Sequence, residues 1–413
     1  MYAYEEIRHI HLEPTTRCNA ACPMCARNVR GVTAQGLGLA DLSIADVRAI
    51  LPESFMAQIT GFDLCGAYGD PALATDVAKM VDYVHDASPS CLISLYTNGG
   101  VRSPAWWQRL AGSLGSHGRV IFAIDGLAQT NGIYRRGVDF GKVMANAAAF
   151  ISAGGEARWD FLAFKHNQHD IPGARQLSRE MGFRKFSVKK TDRFLEPFYE
   201  FSPEHEDSPD LTHFPIYGDN GDSIVGYLEP PGDPDLVNAT AQKFASTAGP
   251  AAHLMRLFDT TPISCRILDT NSVFISARGL AFACCWTYVQ ATRATQGGYR
   301  ADSGDQMREL VESAGGFAAI DARRVGLRAV VDGPLFAAIE ESWSRPSVAE
   351  GRLKVCARAC GTDFPAYFDQ FESPALQPRS LRGLEEEASE TNRADRPDAP
   401  PTRSSWVGRA QCP

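Results

Sequence analysis

Along the first half of the chain, short apolar runs alternate with stretches in which apolar residues recur every three to four positions. The runs at residues 7–12, 62–65, 92–96, 120–124, 158–164 and 185–189 are rich in β-branched and aromatic side chains, as strands require. Between them the 3.6-residue period predicts helices at 43–51, 75–85, 103–114, 140–153 and 171–181. Ser43 and Ser103 stand where N-caps are expected, and Gly154 and Gly182 where helices stop. Five helices separating six strands make a run of β-α units over residues 1–191. Such a run produces a parallel sheet with right-handed crossovers, as a partial (β/α)6 barrel or an open doubly wound sheet. Either arrangement puts its functional residues at the carboxyl ends of the strands.

The rhythm is lost over residues 192–261, which are dense in Pro, Asp and Gly around Glu229-Pro-Pro-Gly-Asp-Pro234. This composition predicts a connecting region of loops with one helix near 236–244. A cysteine-bearing unit follows at 262–371, with a hairpin at 272–285 turning at Arg278-Gly279 and an amphipathic helix at 335–343. Residues 372–413 have few apolar positions and a Glu385-Glu386-Glu387 run, a composition that predicts disorder.

The composition, 44% hydrophobic over 413 residues, supports a sizeable core, and a formal charge of −8 argues against a nucleic-acid platform. The sequence has no apolar run of membrane-spanning length and no secretory signal pattern, so the expected location is the cytoplasm, away from membranes. Clustered spacings among 11 cysteines then fit metal binding in a reducing compartment better than disulfides.

The first cluster is Cys18-Asn-Ala-Ala-Cys22-Pro-Met-Cys25, directly after the first strand. Three thiolates can hold three irons of a [4Fe–4S] cube and leave the fourth open to a non-protein ligand. Core thiols spaced by coincidence and a zinc knuckle short of one ligand are the other readings. The second strand runs into Gly69-Asp70-Pro71, a turn whose backbone and carboxylate suit an ammonium group. The third ends in Tyr96-Thr-Asn98-Gly-Gly100, and the fourth in Ala123-Ile-Asp125-Gly126 followed by Ile133-Tyr-Arg135-Arg-Gly137. Asn98 and Asp125 could equally be strand-end caps.

A second set comprises Cys265, Cys284, Cys356 and Cys360, with Cys265 and Cys284 in the arrangement C-x13-G-x4-C. Four thiolates close a tetrahedral or cubane site, so structural zinc remains a reading beside iron–sulfur. Cys285 is a buried apolar residue, a substitute ligand or a hydrogen donor. Cys65 and Cys91 fall on strands and read as core, and Cys412 reads as unliganded. Polar residues at 164–170 and 189–193 follow strands five and six, as solvated loop charges or as anchors for an anionic substrate group.

The C-x3-C-x2-C cluster on a β-α array resembles the radical S-adenosylmethionine superfamily, and the later cysteines resemble its SPASM/twitch extension. The resemblance covers about residues 7–366. It implies a partial (β/α)6 TIM-like barrel followed by a small Cys-rich α+β domain. By it, Cys18, Cys22 and Cys25 hold a [4Fe–4S] cluster whose open iron binds S-adenosylmethionine. Gly69 and Asp70 then grip the cofactor ammonium, Asp125 and Arg135 serve its carboxylate, and Asn98 is a further cofactor-binding residue. One auxiliary [4Fe–4S] cluster on Cys265, Cys284, Cys356 and Cys360 follows, with zinc as the alternative. Met24 replaces the usual aromatic residue, Asp70 the usual Glu, Ala123 the usual Ser, and C-x3-C the familiar C-x2-C of the last pair.

The implied activity is reductive cleavage of S-adenosylmethionine to a 5′-deoxyadenosyl radical that removes a hydrogen atom from substrate. An auxiliary cluster points to oxidation, whereas Cys285 as hydrogen donor would point to epimerisation. Electrons would come from a flavodoxin or ferredoxin. The first strand begins almost at residue 1, leaving no room there for a peptide-recognition domain, so a small molecule of sugar or aminocyclitol type is expected over a peptide. A non-enzymatic electron carrier or regulator with closed metal sites is the reading from another class.

Overall fold

The computed structural model describes residues 1–195, 213–245, 250–293 and 304–370. The expected tail at 372–413, with Cys412, lies outside the described residues. Six parallel strands form in chain order: β1 (His9–Leu12), β2 (Gly61–Leu64), β3 (Leu92–Thr97), β4 (Gly118–Ala123), β5 (Glu156–Ala163) and β6 (Lys185–Lys190). They alternate with α1 (Ile44–Ile50), α2 (Val77–Ala87), α3 (Pro104–Leu114), α4 (Phe140–Ser152) and α5 (Ile171–Met181). Each strand pairs with the next in sequence, without the reversal of order that marks a doubly wound sheet. Of the two arrangements, the barrel-like one forms.

Local chemistry explains the boundaries. The hydroxyls of Ser43 and Ser103 accept hydrogen bonds from the backbone N–H groups of Asp46 and Trp106, and Gly182 ends α5 in the left-handed region at φ 87°. Strands β1 and β2 are buried at every position, as a sheet covered on both faces demands. Beneath the outer helices, Trp107 packs edge-on to Phe150 and tilted against Phe122, all fully buried. Each such ring contributes about 2–3 kcal/mol by leaving water.

The hairpin at 272–285 forms, with Gly279 at φ 74° in its turn, as β7 (Ser272–Ile275) and β8 (Ala281–Phe282). Its first strand also pairs in parallel with β1, from His9↔Ser272 to Leu12↔Ile275. The main sheet therefore reads β8-β7-β1-β2-β3-β4-β5-β6, and a single apolar core runs from Ile7 to Cys360. The connecting stretch holds more structure than expected. A hairpin joins Phe214–Tyr217 to Ile224–Leu228, and helices form at Ala239–Ala245 and Pro250–Thr260. Phe244, Leu254 and Phe258 pack with Ala357 and Phe364 in a second small core. No helix among the described residues is long and apolar enough to cross a membrane.

Candidate active site

The loop leaving β1 is pinned before it reaches its cysteines. Glu13 is fully buried, and its Oε1 accepts from the backbone N–H groups of Tyr68 (2.7 Å) and Gly69 (3.3 Å). Its Oε2 lies 3.5 Å from the Ala277 nitrogen, in the β7–β8 turn. The Arg27 guanidinium, also buried, donates to the carbonyls of Thr16 and Tyr68. The turn after β2 then lies against this loop so tightly that a Cβ on Gly69 would come within 1.8 Å of the Thr15 carbonyl oxygen. Only glycine fits such an approach.

These constraints bring Cys18, Cys22 and Cys25 to the wall of one cavity at the strands' carboxyl ends. Gly69, Asp70, Asn98, Asp125 and Arg135 line the same cavity. Burial, with Asp70 next in effect, drives the Cys18 thiol well above its ordinary range. Cys22 is pushed up to about 11 by burial, against the opposing charge of Arg135, whose Nη1 lies 3.8 Å from its sulfur. Three free thiols on one cavity wall have the soft-donor chemistry of iron–sulfur ligands, and a cluster would displace their protons on binding.

Asp70 is buried, and its carboxylate accepts from the Thr97 hydroxyl (2.8 Å) and the backbone N–H groups of Asn98 (2.8 Å) and Ala72 (3.0 Å). Burial raises its pKa, and those neutral donors work against the rise. The side-chain amide of Asn98 donates to Asn19 (2.9 Å) and points at Cys18 Sγ (3.9 Å). Asp125 Oδ1 accepts from the Leu162 N–H (2.7 Å) while Oδ2 takes the Arg135 Nε at 2.6 Å. Burial acts against the charge of Arg135, but Asp125 and then Cys22 hold its pKa above the ordinary value. Asp125 thereby aims a guanidinium whose remaining N–H groups are available to a carboxylate.

Another part of the cavity lining was only partly visible in sequence. Lys189 and Asp160 pair at 2.5 Å on it, and Thr191, Asp192 and Arg193 continue it. Arg193 Nη1 donates to the Met24 carbonyl (2.9 Å) and the Tyr134 hydroxyl (3.2 Å), so this residue braces the cysteine loop. The 164–170 stretch instead secures the scaffold, with Asn167 Nδ2 bonded to the Asp125 and Leu162 carbonyls. Glu13, Arg27, Trp286 and Tyr367 were not singled out from sequence. The available signals were a carboxylate placed immediately after an all-buried strand and a Trp next to paired cysteines.

The second cysteine set also converges. Cys356 and Cys360 sit one turn apart on a short helix, α6 (Lys354–Cys360), so C-x3-C spacing puts both thiols on one face. Cys265 caps the helix Arg266–Thr270 and hydrogen-bonds Cys360, which is drawn down to about 6 by that bond and by Arg266, while Cys265 is pushed far up. Cys284 is held at about 12 by burial and then by Cys285, and Cys356 is raised by burial and then by Cys284. Cys265, Cys356 and Cys360 are buried and Cys284 is half-buried, four free thiols of the soft-donor chemistry that iron–sulfur and zinc sites use. Cys285 hydrogen-bonds His11 on β1, and Trp286 beside it reaches the cavity wall. Cys65 lines the cavity, whereas Cys91 is fully buried at the start of β3.

No family model matches the chain, and no curated protein matches it in sequence. Solved structures that resemble it include Streptococcus suis SuiB bound to the precursor peptide SuiA, at 12% identity and TM-score 0.43 over 67% of this chain. The chain covers 59% of SuiB, about three fifths of its length. Native anSMEcpe with bound AdoMet is similar at 12% identity and TM-score 0.47, over 93% of this chain and 99% of that one. BtrN in complex with AdoMet and 2-DOIA is similar at 20% identity and TM-score 0.25, over 28% of this chain and 45% of BtrN.

Proposed function

We propose that the chain is a radical S-adenosylmethionine enzyme that removes a hydrogen atom from an unactivated C–H bond of a small polar molecule, of the sugar or aminocyclitol type. The observation that carries this reading is the convergence of Cys18, Cys22 and Cys25 with Asp70, Asn98 and Arg135 around one cavity. A [4Fe–4S] cluster held there with S-adenosylmethionine would supply the 5′-deoxyadenosyl radical. The chain's own part is to seat, orient and shield. Arg135, aimed by Asp125 and with Nη1 toward Cys22, is the guanidinium placed to receive the methionyl carboxylate. Asp70 contributes buried negative charge toward the methionyl ammonium while its bonds to Thr97 and Asn98 fix the β3 turn. Tyr96, Trp286 and Tyr367 line the cavity with aromatic surface that excludes water from a reactive carbon radical.

Oxidation is favoured over epimerisation because Cys285, the thiol singled out to return a hydrogen atom, is buried and stands outside the residues that line the cavity. The four-cysteine set supports one auxiliary iron–sulfur site, and a flavodoxin or ferredoxin is the reductant we infer. The decisive experiment is anaerobic reconstitution of the full chain, followed by iron analysis and an assay for 5′-deoxyadenosine under reducing conditions. About eight irons per chain and 5′-deoxyadenosine above background are expected. About four irons with one zinc would replace the auxiliary cluster by a structural metal, and no 5′-deoxyadenosine would overturn the enzyme reading.

A further inference from the structure

The turn that follows β2 is gripped at both of its ends. Asp70 caps the single helical turn Pro71–Leu73, its carboxylate accepting from the Ala72 N–H at 3.0 Å. The far end of such a turn leaves carbonyls without helical partners, and the Arg102 guanidinium takes them. Its Nε donates to the Ala72 carbonyl at 2.7 Å, and its Nη2 to those of Ala74 at 2.9 Å and Leu73 at 3.3 Å. Arg102 itself stands in the left-handed region at φ 65°, one of three non-glycine residues that do so among the described residues. That conformation is unfavourable for a residue with a Cβ and persists where surrounding contacts hold it. The guanidinium carbon also lies 5.3 Å from the ring centroid of Trp106 on α3.

Arg102 belongs to the segment leaving β3, the same segment whose Thr97 hydroxyl and Asn98 N–H bind the Asp70 carboxylate. The middle of that segment is pinned as well. Asn146 Nδ2 donates to the carbonyls of Gly99 (2.8 Å) and Val101 (3.0 Å), and Trp107 Nε1 to that of Val101 (3.0 Å). A closed ring of contacts results, running from Asp70 to Asn98, along the chain to Arg102, and back through Ala72. Asp70 lines the cavity, whereas Arg102 is not among the residues that do. We propose that Arg102 is a positioning residue for the cofactor site, fixing from outside the cavity where the Asp70 carboxylate stands. This rests on reading Asp70 as the carboxylate that meets the methionyl ammonium. Without the guanidinium, the Pro71–Leu73 turn loses its hold on the β3 segment and carries the carboxylate off its place. The ammonium contact is made before and during cofactor cleavage alike, so its weakening appears in KM and not in kcat.

The test is amide hydrogen exchange on the full chain, followed by initial rates of S-adenosylmethionine cleavage after anaerobic reconstitution. Arg102→Gln should speed exchange across residues 70–74 and 97–101. It should then raise KM for S-adenosylmethionine roughly 10-fold, with kcat and iron content near wild type. Arg102→Lys, which can still donate to a carbonyl, should lie between the two. Arg102→Gly relieves the backbone at φ 65° but carries no guanidinium, so it should match Arg102→Gln, and a wild-type KM in it overturns the proposal. Faster exchange with an unchanged KM in Arg102→Gln overturns it too, as the mark of a purely structural brace, and so does a fall in kcat and iron content at constant KM. If Arg102→Gln does not accumulate, the KM of Arg102→Lys decides. A wild-type chain that forms no 5′-deoxyadenosine sinks the enzymatic reading and this inference with it, whereas a wild-type chain that cleaves the cofactor, with KM unmoved by Arg102→Gln, overturns this inference alone.

Discussion

The two cysteine sites use the same side chain in opposite settings. Cys18, Cys22 and Cys25 sit on a loop braced from outside by Glu13, Arg27 and Arg193, and they line a cavity. The second four are drawn from two helix starts and one helix face, with the Cys265 thiol hydrogen-bonded to Cys360. A loop braced by its neighbours keeps its thiols on a cavity wall, whereas thiols drawn from helix ends pack into the protein interior.

The largest expected contrast comes from removing one thiol at each site. Cys22→Ala should abolish 5′-deoxyadenosine formation altogether. Cys356→Ala should retain some cofactor cleavage while losing about half the iron. Equal losses of cleavage in the two variants would erase the functional distinction between the sites.

A smaller effect is expected where the cofactor end is recognised. Arg135→Gln removes a charged fork held by Asp125, and kcat/KM for S-adenosylmethionine cleavage should fall roughly 30- to 100-fold, about 2–3 kcal/mol. Arg135→Lys should not recover it, because an ammonium cannot present two parallel N–H groups. Full rescue by lysine, measured by initial rates, would reduce Arg135 to a point charge.

A last effect, on stability and not on activity, concerns the carboxylate that ties the turn after β2 to the β7–β8 turn. Burial pushes Glu13 up to about 7 from 4.5, so the folded chain holds a proton that the unfolded chain has released between those values. Its neutral form therefore stabilises the fold fully below about pH 4.5, and that contribution fades as pH rises through 7. Glu13→Gln should flatten the decline in stability between pH 5 and 8 by up to about 3 kcal/mol, read from denaturant unfolding at each pH. An identical pH slope in the variant would show that Glu13 stays ionised in the fold.

The β-α half was legible because its information is local. The change from strand-like runs to a 3.6-residue period, the Ser43 and Ser103 caps and the Gly182 stop each lie within the element they define. The parallel pairing of β7 with β1 was not legible, because nothing near Ser272 encodes a partner at His9. The hairpin from Phe214 to Leu228 was hidden by Pro215, Gly218, Gly221 and Gly226, which read as loop although the strands pair. Cysteine spacing identified both clusters of thiols, but no spacing rule points to Glu13, Arg266 or Tyr367, whose placement depends on long-range packing.

The pairing of β1 with β7 also has a consequence for biogenesis. On the ribosome the first strand emerges early, yet one of its two hydrogen-bonding edges is completed only by a segment translated more than 260 residues later. Until then a strand that the fold buries at every position exposes an open edge, the kind of surface that invites mispairing between nascent chains. Chaperone supply during expression should therefore govern the yield of correctly folded protein.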